Sequence, residues 1–131
     1  MIHVFDLWPH GFLAWLLSFN TGKPIILTLV GTGSVKPLNN YFLKLVLGKI
    51  MHDCYQITAI SSYVCGRVLS KVPGLHIKVI CPGVDYNYWS NSEGNFSVDG
   101  LPSHADFILS VGSFKRRKGY HTSLAIFKRI N

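Results

Sequence analysis

Glutamate is almost missing from this sequence: Glu93 is the only one among 131 residues. Glutamate-based metal motifs and paired catalytic glutamates are thereby excluded from this stretch. Acidic residues as a class are scarce, six against thirteen Lys and Arg, which leaves a net charge of +7. Such an excess favours an anionic partner, whether a phosphorylated small molecule, an acidic membrane surface or nucleic acid. Charged residues make up only 15% while hydrophobic ones reach 48%, so a disordered chain is excluded and a real core is expected. The longest apolar runs, Gly11 to Phe19 and Ile25 to Val30, fall short of the roughly 18 residues that span a bilayer. The start lacks a basic segment, so it does not read as a signal peptide. Three cysteines, Cys54, Cys65 and Cys81, sit in apolar surroundings. An odd number in such settings suits buried reduced thiols in the cytoplasm better than a disulfide framework. His52, Cys54 and Cys65 lack metal-ligand spacing, no Gly-x-Ser-x-Gly elbow occurs, and His76, His104 and His121 read as structural or solvent-facing.

What is present is an alternation of short β-branched runs and longer helical ones. Ile2–Phe5, Ile25–Val30, Ile57–Ile60, Ile77–Ile80 and Phe107–Val111 read as strands. They are nearly continuous in apolar residues, the pattern of parallel strands covered on both faces. Helices are predicted at about Pro9–Phe19, Leu38–Met51, Ser62–Val72 and Gly119–Ile130, with Ser61 as an N-cap and Gly74 as a stop. The fold class is therefore α/β, a Rossmann-like parallel sheet with flanking helices, and the repeated βαβ pattern implies a doubly wound sheet. The Asn-, Ser- and Gly-rich stretch after Tyr86 divides the chain into residues 1–86, a connection over 87–105 and the start of a second α/β unit over 106–131. Opening inside an interior strand and stopping as a helix ends, the sequence reads as a fragment of a larger enzyme.

Three stretches carry candidate chemistry. Gly112-Ser113-Phe114-Lys115-Arg116-Arg117-Lys118-Gly119 joins a predicted strand end to a helix start, the usual ligand position in open α/β sheets. Four consecutive cations between flexible glycines make a receptor for a diphosphate. The plain alternative is a solvated basic loop. Nucleic-acid binding is set aside because no recognition helix or aromatic platform accompanies the cluster. Gly31-Thr32-Gly33 follows a predicted strand, where glycines allow close approach of a ligand to the backbone. A dinucleotide fingerprint would need its third glycine at position 36, which is Lys36 followed by Pro37, and the next helix is predicted to start only at Leu38. Asp6 and His10 follow the first strand, placed for proton transfer or for holding hydroxyls, with capping by Asp6 as the structural alternative. The mostly apolar helix containing Tyr41, Phe42, Lys44, Leu45 and Lys49 reads as a core helix, with a membrane-interface role as the alternative.

Taken in order, these segments resemble family 4 glycosyltransferases. His3-Val4-Phe5-Asp6, Gly22-Lys23-Pro24 through Gly31, Val79-Ile80-Cys81-Pro82-Gly83-Val84-Asp85 with Trp89, and Ile108 through Gly119 are similar to successive motifs of that family. The resemblance implies a GT-B architecture, here truncated: the end of the acceptor-side domain and the first βα unit of the donor-side domain. It implies metal-independent, retaining transfer of a sugar from a nucleotide-sugar donor, a substrate and not a cofactor, to a saccharide, lipid or small-molecule acceptor. Lys118 matches the lysine that stabilises the donor diphosphate, with Gly112, Ser113, Arg116, Arg117 and Gly119 around it. Ser113 stands where the family has an arginine, and Arg116 or Arg117 is the substitute. Val30 and Phe5 replace two family histidines, and Gly83 and Asp85 match the interdomain motif. The family's paired-glutamate segment would follow Asn131, so the chain alone is expected to be inactive. The expected location is the cytoplasm, with peripheral contact at the inner face of the membrane. The competing readings are a non-catalytic α/β module whose basic loop binds a phosphorylated ligand or an anionic membrane, and a nicotinamide-dependent oxidoreductase fragment built on Gly31–Gly33.

Overall fold

Four short β-branched runs pair side by side in chain order. In the computed structural model, which describes residues 1–90 and 108–130, β1 (Ile2–Phe5), β2 (Ile25–Leu29), β3 (Gln56–Ala59) and β4 (Ile77–Val79) form one parallel sheet of order β1-β2-β3-β4. Between the strands run α1 (Phe12–Thr21), the short α2 (Thr32–Val35), α3 (Tyr41–Asp53) and α4 (Ser62–Leu69). A short helix α5 (Tyr86–Ser90) follows, and α6 (Tyr120–Ile130) closes the described chain. The α/β class and the parallel sheet flanked by helices, a Rossmann-like arrangement, are therefore observed. The chain divides into two compact units, residues 1–86 and 87–131. Most of the predicted 87–105 connection lies outside the described residues.

Local chemistry explains most of the boundaries. Asn40 Oδ1 accepts the Leu43 N–H at 3.1 Å and starts α3, while Ser61 Oγ accepts the Val64 N–H at 3.2 Å and starts α4, as N-caps do. Gly22 ends α1 in the left-handed conformation at φ 61°. The predicted start at Pro9 is corrected to Phe12. Trp8 is extended at φ −129°, ψ 130°, the conformation imposed on a residue preceding proline, and a wide turn over Leu7–Gly11 intervenes.

Two further expectations are overturned. The sheet is not doubly wound within the described residues, because its strand order never reverses. Helices connecting strands that advance in one direction stack on one face, and the core reflects this. Leu27, Leu29, Ile57 and Ala59, with Val4 and Ile77, pack against Phe12 and Trp15 of α1, Leu47, Ile50 and Met51 of α3, and Val64 and Val68 of α4 in a single cluster. The alternate positions His3, Phe5, Ile26, Thr28, Gln56, Thr58 and Lys78 contribute nothing to it. That second face carries a polar chain instead: His3 Nε2 lies 2.8 Å from Thr28 Oγ1, which lies 2.8 Å from Thr58 Oγ1. The strand expected at Phe107–Val111 is also not formed over its described part. Ile108, Leu109 and Val111 are exposed and pair with no described strand, and a ladder requires a partner to satisfy its N–H and C=O groups. Phe107 lies outside the described residues.

Candidate functional site

At the carboxyl end of the sheet in the first unit, β1 and β2 deliver Asp6 and the Gly31 turn to neighbouring positions. Asp6 adopts φ 75°, ψ 145°, a region costly for a residue with a side chain and often found at functional positions. Its Oδ1 accepts the Leu7 N–H at 3.1 Å and the Ser34 hydroxyl at 2.5 Å. Ser34 Oγ in turn accepts the Val30 N–H at 3.2 Å and is fully buried. Gly31, at φ 142°, leads directly into α2, so helical structure begins at Thr32, six residues before the predicted Leu38. Gly33 has a packing reason. A Cβ there would lie 2.7 Å from Asp6 Cγ, so only glycine lets the carboxylate rest against the turn.

This arrangement decides what the turn can bind. A carboxylate already occupies the space against Gly33, and its negative charge opposes a phosphate there. The dinucleotide reading of Gly31–Gly33 accordingly loses its physical basis. A hydroxyl-bearing ligand is better suited, since Asp6 Oδ2 makes no hydrogen bond among the described residues. Of the predicted first-unit residues, the structure brings Asp6, Gly31 and Gly33 together. Thr32 and His10 are exposed.

In the second unit the basic stretch forms a compact turn. The Lys115 N–H donates to the Ser113 carbonyl at 2.7 Å, and the Lys118 N–H to the Lys115 carbonyl at 2.8 Å. Arg116–Lys118 makes a tight helical turn that ends on Gly119, left-handed at φ 73°. The Gly119 carbonyl then accepts from Thr122 and Ser123 at 2.9 and 3.0 Å, opening α6. Left-handed geometry at Gly119 is what turns the basic segment onto the α6 N-terminus. Gly112 lies beside it: a Cβ there would meet the Tyr120 hydroxyl at 2.7 Å and Lys118 Cδ at 3.9 Å. Gly112, Lys118, Gly119 and Tyr120 are thus neighbours. The Tyr120 ring also packs on Phe114 at 5.3 Å. Lys115, Arg116, Arg117 and Lys118 are all exposed, and none is ion-paired with a described residue.

Sequence reasoning missed Ser34 and Tyr120 as members of these clusters. Ser34 adjoins the singled-out glycines, yet its partner Asp6 is 28 residues away. Tyr120 follows the basic run after Gly119, and in the sequence nothing sets it apart from the rest of its helix. A cavity of about 170 Å³, lined by Met51, His52, Cys54, Tyr55, Ile57 and His76 among others, opens at the amino ends of β3 and β4, opposite the end where such sheets hold ligands. It contains no predicted site residue. Beside it the Cys54 thiol donates to the Ile50 carbonyl at 3.2 Å. Burial, reinforced by the Asp53 carboxylate, pushes that thiol up to about 11, so it is no nucleophile at neutral pH. Among the described residues no three His, Cys, Asp or Glu side chains converge as a metal site. No protein-family model matches the chain, and no curated protein matches it.

Proposed function

We propose that the chain is part of a retaining glycosyltransferase of GT-B type, and that the Lys115–Lys118 turn holds the diphosphate of its nucleotide-sugar donor. One observation carries the reading. Four adjacent cations without an ionic partner among the described residues form a turn that ends on Gly119, immediately before an eleven-residue helix. Like charges at this spacing repel, and a bound anion relieves the repulsion. The first N–H groups of α6 and its dipole favour the same ligand. Ser113 leaves room for Arg116 or Arg117 to act as the second cation.

The chemistry then follows from charge. Transfer breaks the bond between the sugar's anomeric carbon and the diphosphate oxygen, and the electron pair leaves with the diphosphate. A new bond forms from an acceptor hydroxyl to that carbon, on the face the leaving group vacates, and the hydroxyl proton is released. Lys118 and the helix start stabilise the charge growing on the phosphate oxygens, which lowers the barrier to departure. On the acceptor side, Asp6 accepts a hydrogen bond from the acceptor hydroxyl, oriented by its ties to Ser34 and Leu7, and the exposed imidazole of His10, four residues on, is assigned the uptake of the proton. Gly31, Thr32 and Gly33 form the turn against which the acceptor rests. Cytoplasmic action at the inner face of the membrane belongs to the same reading.

The alternative of a non-catalytic module that binds a phosphorylated ligand shares the basic turn and lacks the acceptor side. Calorimetric titration of UDP, GDP and ADP into the chain tests the shared part. Saturable binding of one of them, weakened at least about tenfold by Lys118→Ala, supports the diphosphate grip. Equal affinity in the two proteins removes it.

A further inference from the structure

Residues 7 to 52 contain no carboxylate at all, between Asp6 and Asp53, while Lys23, Lys36, Lys44 and Lys49 fall within them. This acid-free stretch builds α1 and α3, neighbouring helices on the single covered face of the sheet. Each leaves a run of large apolar side chains in water. On α1 these are Leu13, Leu16 and Leu17, exposed by 52%, 46% and 58%. On α3 they are Tyr41, Phe42 and Leu45, exposed by 78%, 71% and 57%.

The spacing puts each set on one side of its helix, since residues three and four apart are neighbours. The opposite side is spent on the core: Ala14 with Phe12 and Trp15 on α1, and Leu47, Ile50 and Met51 on α3. Trp15 Nε1 donates to Asp53 Oδ2 at 2.9 Å, and Lys49 Nζ lies 3.5 Å from the same oxygen. The one acid at the margin of this layer is therefore already neutralised. Exposed apolar surface of this kind marks an interaction site.

We infer that the outward side of α1 and α3 is a docking surface for an anionic lipid bilayer. Charge selects this occupant. Leucines with a tyrosine and a phenylalanine, set among lysines and free of acids, match the headgroup boundary of an acidic membrane. Neither helix is long enough to cross: α1 has ten residues and α3 thirteen, about 15 and 20 Å. The helices therefore lie along the interface. The inference deepens the transferase reading by naming the surface for the membrane contact it includes; it rests on none of the residues assigned to donor or acceptor, so its failure leaves the diphosphate grip untouched.

The test is flotation of the whole chain with vesicles of pure phosphatidylcholine and with vesicles containing roughly one-third phosphatidylglycerol. Binding to the second and not the first is expected, weakened by high salt. Phe42→Asp is expected to lower it by at least about tenfold. Lys44→Glu and Lys78→Glu change net charge equally, but Lys78 stands on the opposite face of the sheet. Loss with Lys44→Glu and retention with Lys78→Glu, both folded by circular dichroism, confirms the surface. Equal loss in both, or no binding to anionic vesicles, overturns it. A dimer that Phe42→Asp dissolves, without vesicle binding by the wild type, also overturns it.

Discussion

The Ser34 hydroxyl donates to Asp6 Oδ1 and accepts the Val30 N–H, so one buried side chain joins the carboxyl ends of β1 and β2. Removing it leaves the Val30 N–H without its acceptor and a strained Asp6 without its tether. Ser34→Ala is expected to destabilise the fold by about 1–3 kcal/mol, read from the urea midpoint. A change within experimental error would mean that the tie does not hold the two strand ends.

Gly33 and Asp6 are coupled by space. Gly33→Ala drives a methyl group into the Asp6 carboxylate and is expected to cost about 1–3 kcal/mol. In an Asp6→Gly background, which keeps the positive φ and removes the carboxylate, the same substitution is expected to cost less than about 1 kcal/mol. Equal costs in both backgrounds would refute the steric coupling.

On the second face of the sheet, Thr28 stands between His3 and Thr58. Thr28→Val leaves the Thr58 hydroxyl without its partner and is expected to cost about 1–2 kcal/mol. Adding Thr58→Val removes the orphaned group, so the double variant is expected to regain part of that loss. Additive losses in thermal unfolding would contradict the polar chain.

Cys54 gives the fold a pH dependence of known sign. Its proton is held up to about pH 11 in the folded chain, against 9.0 for an ordinary thiol, through burial and the Asp53 charge. The folded state therefore binds more protons than the unfolded state between these values. Stability from this group is complete below pH 9 and declines as pH rises toward 11. Cys54→Ala is expected to flatten that decline in denaturant titrations. At pH 8 the exposed Cys81 is expected to react with a thiol reagent well before Cys54. Equal labelling of the two would contradict the burial.

The strands of the first unit were legible because each apolar run had a partner run. Ile2–Phe5 was read to the residue, and the other three within one residue at each end. The run at 107–111 has the same composition, but pairing makes a strand and composition does not. The one-sided sheet was also written in the sequence. His3, Thr28, Gln56, Thr58 and Lys78 occupy alternate positions of their strands, a period of two masked by Phe5 and Ile26, which make the runs nearly continuous in apolar residues. The Asp6–Ser34 tie could not be read, because it depends on the register that sets Phe5 beside Thr28. Likewise, Tyr120 meets Gly112 only because Gly119 turns the chain.

The most direct measurement is the ³¹P spectrum of a nucleoside diphosphate titrated with the chain. If Lys118 and the α6 start hold the diphosphate, both phosphorus resonances shift on addition of the wild-type protein. Lys118→Ala then reduces the shift at the same concentrations by most of its size, while Lys78→Ala leaves it intact. Identical shifts with wild type and Lys118→Ala, or no shift with either, would contradict the assignment of the basic turn.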